Sequence, residues 1–138
     1  MFKNISNAGP QIYVEAYGNK GEFKAQFNAS GNPLSLIYGD NFKNVTDISD
    51  KAQCLRKLFY DGYIVNAENL SLPATILSTG CYSSMFESCT KLISAPILPA
   101  SILVEFCYES MFRGCSSLTI VKMLATDTSA NGCLYRFL

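Results

Sequence analysis

The sequence predicts an α/β repeat protein in which units of strand, bend and short helix stack behind a terminal β-hairpin. Two observations predict it. Residues 72–97 (LPATILSTGCYSSMFESCTKLISAPI) and 98–123 (LPASILVEFCYESMFRGCSSLTIVKM) are consecutive copies of one 26-residue unit. Within each copy the apolar spacing also changes period, which marks a change of local structure. A repeat of about 20 to 50 residues signals an array whose units cannot bury their apolar sides alone and do so by stacking.

The copies agree without gaps at 12 positions: Leu, Pro, Ala, Ile, Leu, Cys, Tyr, Ser, Met, Phe, Cys and Leu. These are almost all apolar or small, and the charges fall where the copies differ. Cys81, Met85, Cys89 and Leu92 then read as one stripe of a short helix, with Ser83, Ser84, Glu87 and Ser88 on its other side. The second copy repeats the stripe as Cys107, Met111, Cys115 and Leu118. Next come Leu92-x-x-Ala95-x-Ile97 and Leu118-x-x-Val121-x-Met123, the L-x-x-L-x-L spacing of a leucine-rich-repeat strand. Pro73 and Pro99, which lack a backbone donor, place a bend in the unit.

The flanks fit the same scheme. Residues 45–71 read as a degenerate copy with one residue inserted, since Cys54, Leu58 and Phe59 lie 27 residues before Cys81, Met85 and Phe86. Residues 124–138 begin a further copy, with Leu124 matching Leu98 and Cys133 matching Cys107, and stop in mid-unit, which reads as a truncation. Ahead of the repeats, Ile12, Val14 and Ala16 alternate, GNKG turns, and Phe23, Ala25 and Phe27 alternate again, as in a β-hairpin. ASGNP (29–33) reads as a turn and LSLIY (34–38) as a short strand. The expected architecture is therefore a short leucine-rich-repeat solenoid over 45–138, with a hairpin cap over 1–44. Its repeats are 45–71 (degenerate), 72–97, 98–123 and 124–138 (partial).

Composition narrows the function. Hydrophobic residues make up 49% and charged residues 16%, enough apolar material for a core. Eleven basic and eleven acidic residues cancel, and no Lys/Arg cluster marks a nucleic-acid binder. No apolar run is long enough to insert in a membrane, and MFKNISNAGP lacks the apolar region of an export signal. With no histidine, a cysteine nucleophile lacks its usual base, and the carboxylates Glu87, Glu105, Glu109 and Asp127 fall at unequal repeat phases. No catalytic residue, cofactor site or metal site is assigned. The six cysteines recur at two phases, and their eight-residue spacing is not a zinc pattern. They read as buried free thiols ahead of disulfides, and disulfides ahead of a metal. Tyr82 and Tyr108 read as core rings, with a ligand-contacting aromatic ladder as the alternative. The four N-x-S/T sites (Asn4, Asn28, Asn44, Asn69) read as coincidental.

The motifs LPATIL and LPASIL, CYSSMFESCTKL and CYESMFRGCSSL, NPLSLIYGDNF and LATDTSANGC resemble the BspA-like leucine-rich repeat proteins of gut Bacteroidetes and related bacteria. The likeness spans residues 31–138. It implies a non-enzymatic, secreted or surface-displayed bacterial protein that binds an extracellular protein or glycan, as in adhesion. An oxidising setting of that kind would favour disulfides. On such a fold the x positions of the strand project outward. The expected ligand contacts are therefore Ile93, Ser94 and Pro96, then Thr119, Ile120 and Lys122. Two rival readings are a structural spacer or assembly segment, and a phage-borne host-attachment protein.

Overall fold

The computed structural model describes residues 13–17 and 26–138, the former as backbone only. Strands β1 (Tyr13–Tyr17) and β2 (Gln26–Ser30) pair antiparallel, with Tyr13 opposite Ser30 and Tyr17 opposite Gln26. The second strand takes in Ala29 and Ser30 of the expected turn. Ile12, GNKG, Phe23 and Ala25 lie outside the described residues. LSLIY is not a strand: Ser35–Tyr38 form a short helix, α1. The Asn32 Oδ1 accepts the Leu34 N–H at 2.9 Å, and Pro33 has the fixed φ of a first helical turn. Gly39, at φ +56°, ends it. Strand β3 (Ile64–Asn66) joins β2 in parallel, which makes a three-stranded sheet in the order β1-β2-β3.

The repeat units overturn the expected architecture. Among the described residues α1 is the only α-helix, and it precedes the repeats. The only strand within the repeats is β3, in the degenerate copy. Units 72–97 and 98–123 contain neither strand nor helix, only isolated parallel bridges such as Asn66 to Ser94 and Leu98 to Met123. Among the described residues the sheet ends at β1 on one side, and it does not run through the units. With so little regular structure, the chain is not a leucine-rich-repeat solenoid of strand–bend–helix units.

What replaces the helix is a ribbon of overlapping turns that bonds to its neighbours. In residues 80–89, Cys81, Ser83, Met85, Glu87 and Cys89 each donate an N–H to the carbonyl three residues back. The alternate residues Gly80, Tyr82, Ser84, Phe86 and Ser88 donate instead to Glu105, Cys107, Glu109, Met111 and Arg113 of the next copy, at 2.7–3.0 Å. An α-helix keeps every such bond within itself; here half of them leave. We call these segments rungs: residues 53–61, 80–88, 106–114 and 132–137. From the second rung the outgoing bond spans 25 residues (Gly80 to Glu105), and from the first it spans 26 (Gln53 to Thr79). The extra residue of the degenerate copy is accommodated without loss of register.

The ribbon repeats every four residues. Positive φ occurs at Gln53, Lys57 and Asp61, at Gly80, Ser84 and Ser88, at Phe106, Ser110 and Gly114, and at Gly132 and Arg136. A left-handed residue other than glycine costs about 1 kcal/mol or more. From Gln53 to Ser110, each such residue sends its N–H to the next rung, which offsets the cost. The pairs Cys81–Tyr82 and Met85–Phe86 are buried at four-residue spacing, as are Cys107–Tyr108 and Met111–Phe112; Ser83 and Ser84, expected on the open side of a helix, are buried between them as well. In the first rung Arg56, Lys57, Tyr60 and Asp61 face solvent.

Stacking at one repeat phase builds columns in the core. The rings of Phe59, Phe86 and Phe112 stack at 5.4 Å, 15° and then 5° from parallel. Phe27 covers one end at 6.1 Å, and Phe137 closes the other edge-on at 5.4 Å. Tyr82 and Tyr108 form a second column at 6.0 Å. Among the described residues no helix is long and apolar enough to cross a membrane.

Two predictions test this core. Phe86→Ala removes the middle ring of a fully buried column and should lower unfolding stability by about 3–5 kcal/mol in urea titration; a loss under about 1 kcal/mol would show that the column is not the core. Lys57→Gly should stabilise or leave stability unchanged, because φ there is +59°. Arg56→Gly, one residue earlier and equally exposed, should cost about 0.5–1 kcal/mol. Equal effects at both positions would refute the four-residue ribbon.

Candidate recognition face

On the side of the units away from the turn ribbon, single backbone bonds hold three segments side by side. The Ile93 N–H donates to Val65, and the Ala67 N–H to Ser94, at 2.8 and 2.9 Å. The Leu98 N–H donates to Lys122, and Leu124 returns a bond to Leu98, at 2.9 and 3.0 Å. Between them lies a groove of about 220 Å³ lined by Glu68, Ser94, Ala95, Ile97, Ile120 and Lys122. Its apolar members are unusually open for isoleucine: Ile97 is 52% exposed and Ile120 62%.

Three of the expected contacts, Ser94, Ile120 and Lys122, therefore meet in one groove. Ile93 is exposed beside it, and Thr119 lines the next depression together with Ile120. Pro96 corrects the expectation, because it is buried. Ser94 and Ala95 are half-buried in succession, so the in–out alternation slips by one: Pro96 points in, Ile97 out and Leu98 in. A slip of one residue exchanges the faces of everything beyond it.

Glu68 and Ile97 were not legible as contacts. Glu68 sits in the degenerate copy, and Ile97 occupied an expected core position. A second exposed ridge was missed as well. Ile76 and Ile102 are identical in the two copies, yet they are 53% and 60% exposed. Both form the parallel bridges to Asp47 and Asp127 with their side chains left outside the core.

Successive depressions share lining residues. The groove shares Glu68 and Ile97 with one of about 340 Å³ that also holds Asn69, Ser71 and Pro99. That depression shares Asn69 and Ser71 with one of about 530 Å³ around Asn32, Phe42, Lys43 and Asn44. A furrow thus crosses several units, suited to an elongated partner. Tyr82 and Tyr108 take no part in it: both rings are buried, which removes the aromatic ladder.

The cysteines serve the core. All six are free. The Cys89 thiol donates to the Phe59 carbonyl at 2.9 Å, and the Cys115 thiol to the Phe86 carbonyl at 3.0 Å, each reaching the preceding rung. Burial pushes Cys81 and Cys89 up to about 12, and Cys107 and Cys115 to about 11, from the ordinary 9.0. A thiol held protonated is a poor nucleophile. Among the described residues no three His, Cys, Asp or Glu side chains are grouped to hold a metal. Exposed Asp47 and Asp127 each accept hydrogen bonds from a serine two residues on (Ser49 and Ser129), which lowers their carboxyls below the ordinary range.

The raised thiols make stability depend on alkali. The unfolded chain releases these protons near pH 9 and the folded chain only towards 11–12, so the folded form holds more protons in between. Stability is therefore full below pH 9 and falls as pH rises towards 12. Urea titrations from pH 8 to 11 should show the decline, and a flat profile would refute it. At pH 8, iodoacetamide should modify the half-buried Cys54 and Cys115 before Cys81 and Cys89; rapid labelling of Cys81 in the folded chain would contradict the packing.

Comparisons with family models, with curated proteins and with solved structures find no match to this chain.

Proposed function

We propose that the chain is a non-enzymatic recognition module, secreted or displayed at a bacterial cell surface, that binds an extracellular partner along this furrow. The observation that carries the reading is the pair of open isoleucines, Ile97 and Ile120, lining one groove with Glu68 and Lys122. Exposed apolar side chains rimmed by charge are the ordinary composition of a contact surface. The extracellular setting rests on the resemblance to BspA-like proteins alone.

A protein partner is favoured over a glycan. Sugar-binding faces present aromatic rings, whereas this groove offers isoleucine, alanine, serine and one charge of each sign. Such a surface suits an elongated polypeptide with aliphatic side chains. The site is open, so no enclosed chemistry is required of it.

The test is a binding screen of the folded chain against extracellular matrix proteins and glycans, with Ile120→Asp and Lys122→Glu alongside. Ile120→Asp should weaken binding at least about tenfold, the loss of one well-packed contact. Ile102→Asp, on the other ridge, should leave binding unchanged. Binding that tolerates both groove substitutions moves the site elsewhere. Absence of any partner for the folded chain favours the structural reading.

A further inference from the structure

Two of the depressions along the furrow lie where backbone bonds between units are missing. Units 45–71 and 72–97 are joined on this face by Ile93 N–H to Val65 and Ala67 N–H to Ser94. One repeat on, the counterparts are Thr119 N–H to Leu92 and Ser94 N–H to Ile120. Neither is made, and the groove of about 220 Å³ lies there. Units 72–97 and 98–123 join on this face only further along, where Leu98 donates to Lys122 and accepts from Leu124. One repeat back, the counterparts Leu72 N–H to Pro96 and Leu98 N–H to Leu72 are likewise not made. The depression of about 340 Å³ opens at that place.

Segment 120–125 forms one wall of the groove. Ile120, Lys122 and Leu124 are exposed, and Val121, Met123 and Ala125 between them are half-buried, the alternation of an extended chain. In such a chain alternate residues turn their backbone groups to the same neighbour. The Lys122 carbonyl and the Leu124 N–H both turn to Leu98, so the Ile120 N–H and carbonyl and the Lys122 N–H face the gap. None of these three groups has a protein partner among the described residues. Glu68 and Lys122, which line the groove, have no ion-pair partner among the described residues either.

We propose that the occupant of this gap is an extended polypeptide that pairs its backbone with Ile120 and Lys122, adding a strand to an open edge. The inference rests on the reading of the furrow as a recognition face and deepens it. The wall offers donor, acceptor and donor in one row, which the main chain of another polypeptide complements. Aliphatic side chains of the added strand then cover Ile97 and Ile120, the open isoleucines of the groove. Glu68 and Lys122 select a basic and an acidic residue beside them. Backbone pairing supplies affinity, and the two charges with the two isoleucines supply specificity.

Capped peptides of about eight residues test it, with valine or isoleucine at alternate positions, lysine towards one end and aspartate towards the other. Fluorescence anisotropy should show saturable binding to the whole chain. N-methylation of every second peptide residue removes a donor and adds bulk at the paired edge. In one register it should weaken binding at least about tenfold, and in the other it should be tolerated. Exchange of the Ile120 and Lys122 amides, fast in the free chain, should slow at least about tenfold on binding, as read by NMR. Failure of every peptide to bind, tolerance of methylation in both registers, or unslowed exchange at both amides refutes the backbone pairing. A matrix protein whose binding Ile120→Asp abolishes would in that case keep the furrow as the site. If Ile120→Asp and Lys122→Glu leave all binding intact, the furrow reading falls and the pairing with it.

Discussion

The backbone hydrogen bond that leaves each rung for the next is the interaction on which everything else depends. It is made by every second residue, and the residues between close turns on themselves. That division of labour holds the ribbon at four residues per repeat and forces a left-handed residue at every fourth position. It also brings equal repeat phases within stacking distance, so that Phe59, Phe86 and Phe112 form a column. Remove the outgoing bonds and the turns have no reason to keep their strained backbone, and the rings lose their registry.

Several parts of this were legible from the residues. The repeat length, the degenerate first copy and its inserted residue all reappear as hydrogen bonds spanning 25 or 26 residues. Burial of Cys81, Met85, Cys89 and Leu92 follows the stripe that the spacing indicated. The local structure was not legible, and the reason is arithmetic. Over eight residues, steps of four fit a 3.6-residue helix almost as well as a ribbon of four-residue period. The discriminating signal was available in the adjacent apolar pairs Cys81–Tyr82 and Met85–Phe86, four residues apart, and in polar or glycine residues at Gly80, Ser84 and Ser88, where φ is positive. Phe106 conceals that signal in the next copy, since an aromatic residue there gives no hint of left-handed backbone.

The face opposite the ribbon was half legible. Alternation along a presumed strand placed Ile120 and Lys122 outward, as they are, but put Pro96 outside and Ile97 inside. Without a continuous strand, nothing enforces alternation across Ser94 and Ala95. The groove that results combines two segments of well-matched copies with Glu68 from the poorly matched one. Its composition reflects which units are neighbours and not which residues recur.

Because each rung is bonded only to its neighbours, the chain also has a particular response to tension. The inter-rung bonds run along the stacking direction, and a pull on the two ends of the ladder loads the outermost rung first. Its few bonds give way before the next rung feels the force, so units peel off singly. Each released 26-residue unit lengthens the chain by up to about 90 Å. A tether built this way would yield in steps and limit the force that reaches whatever it holds.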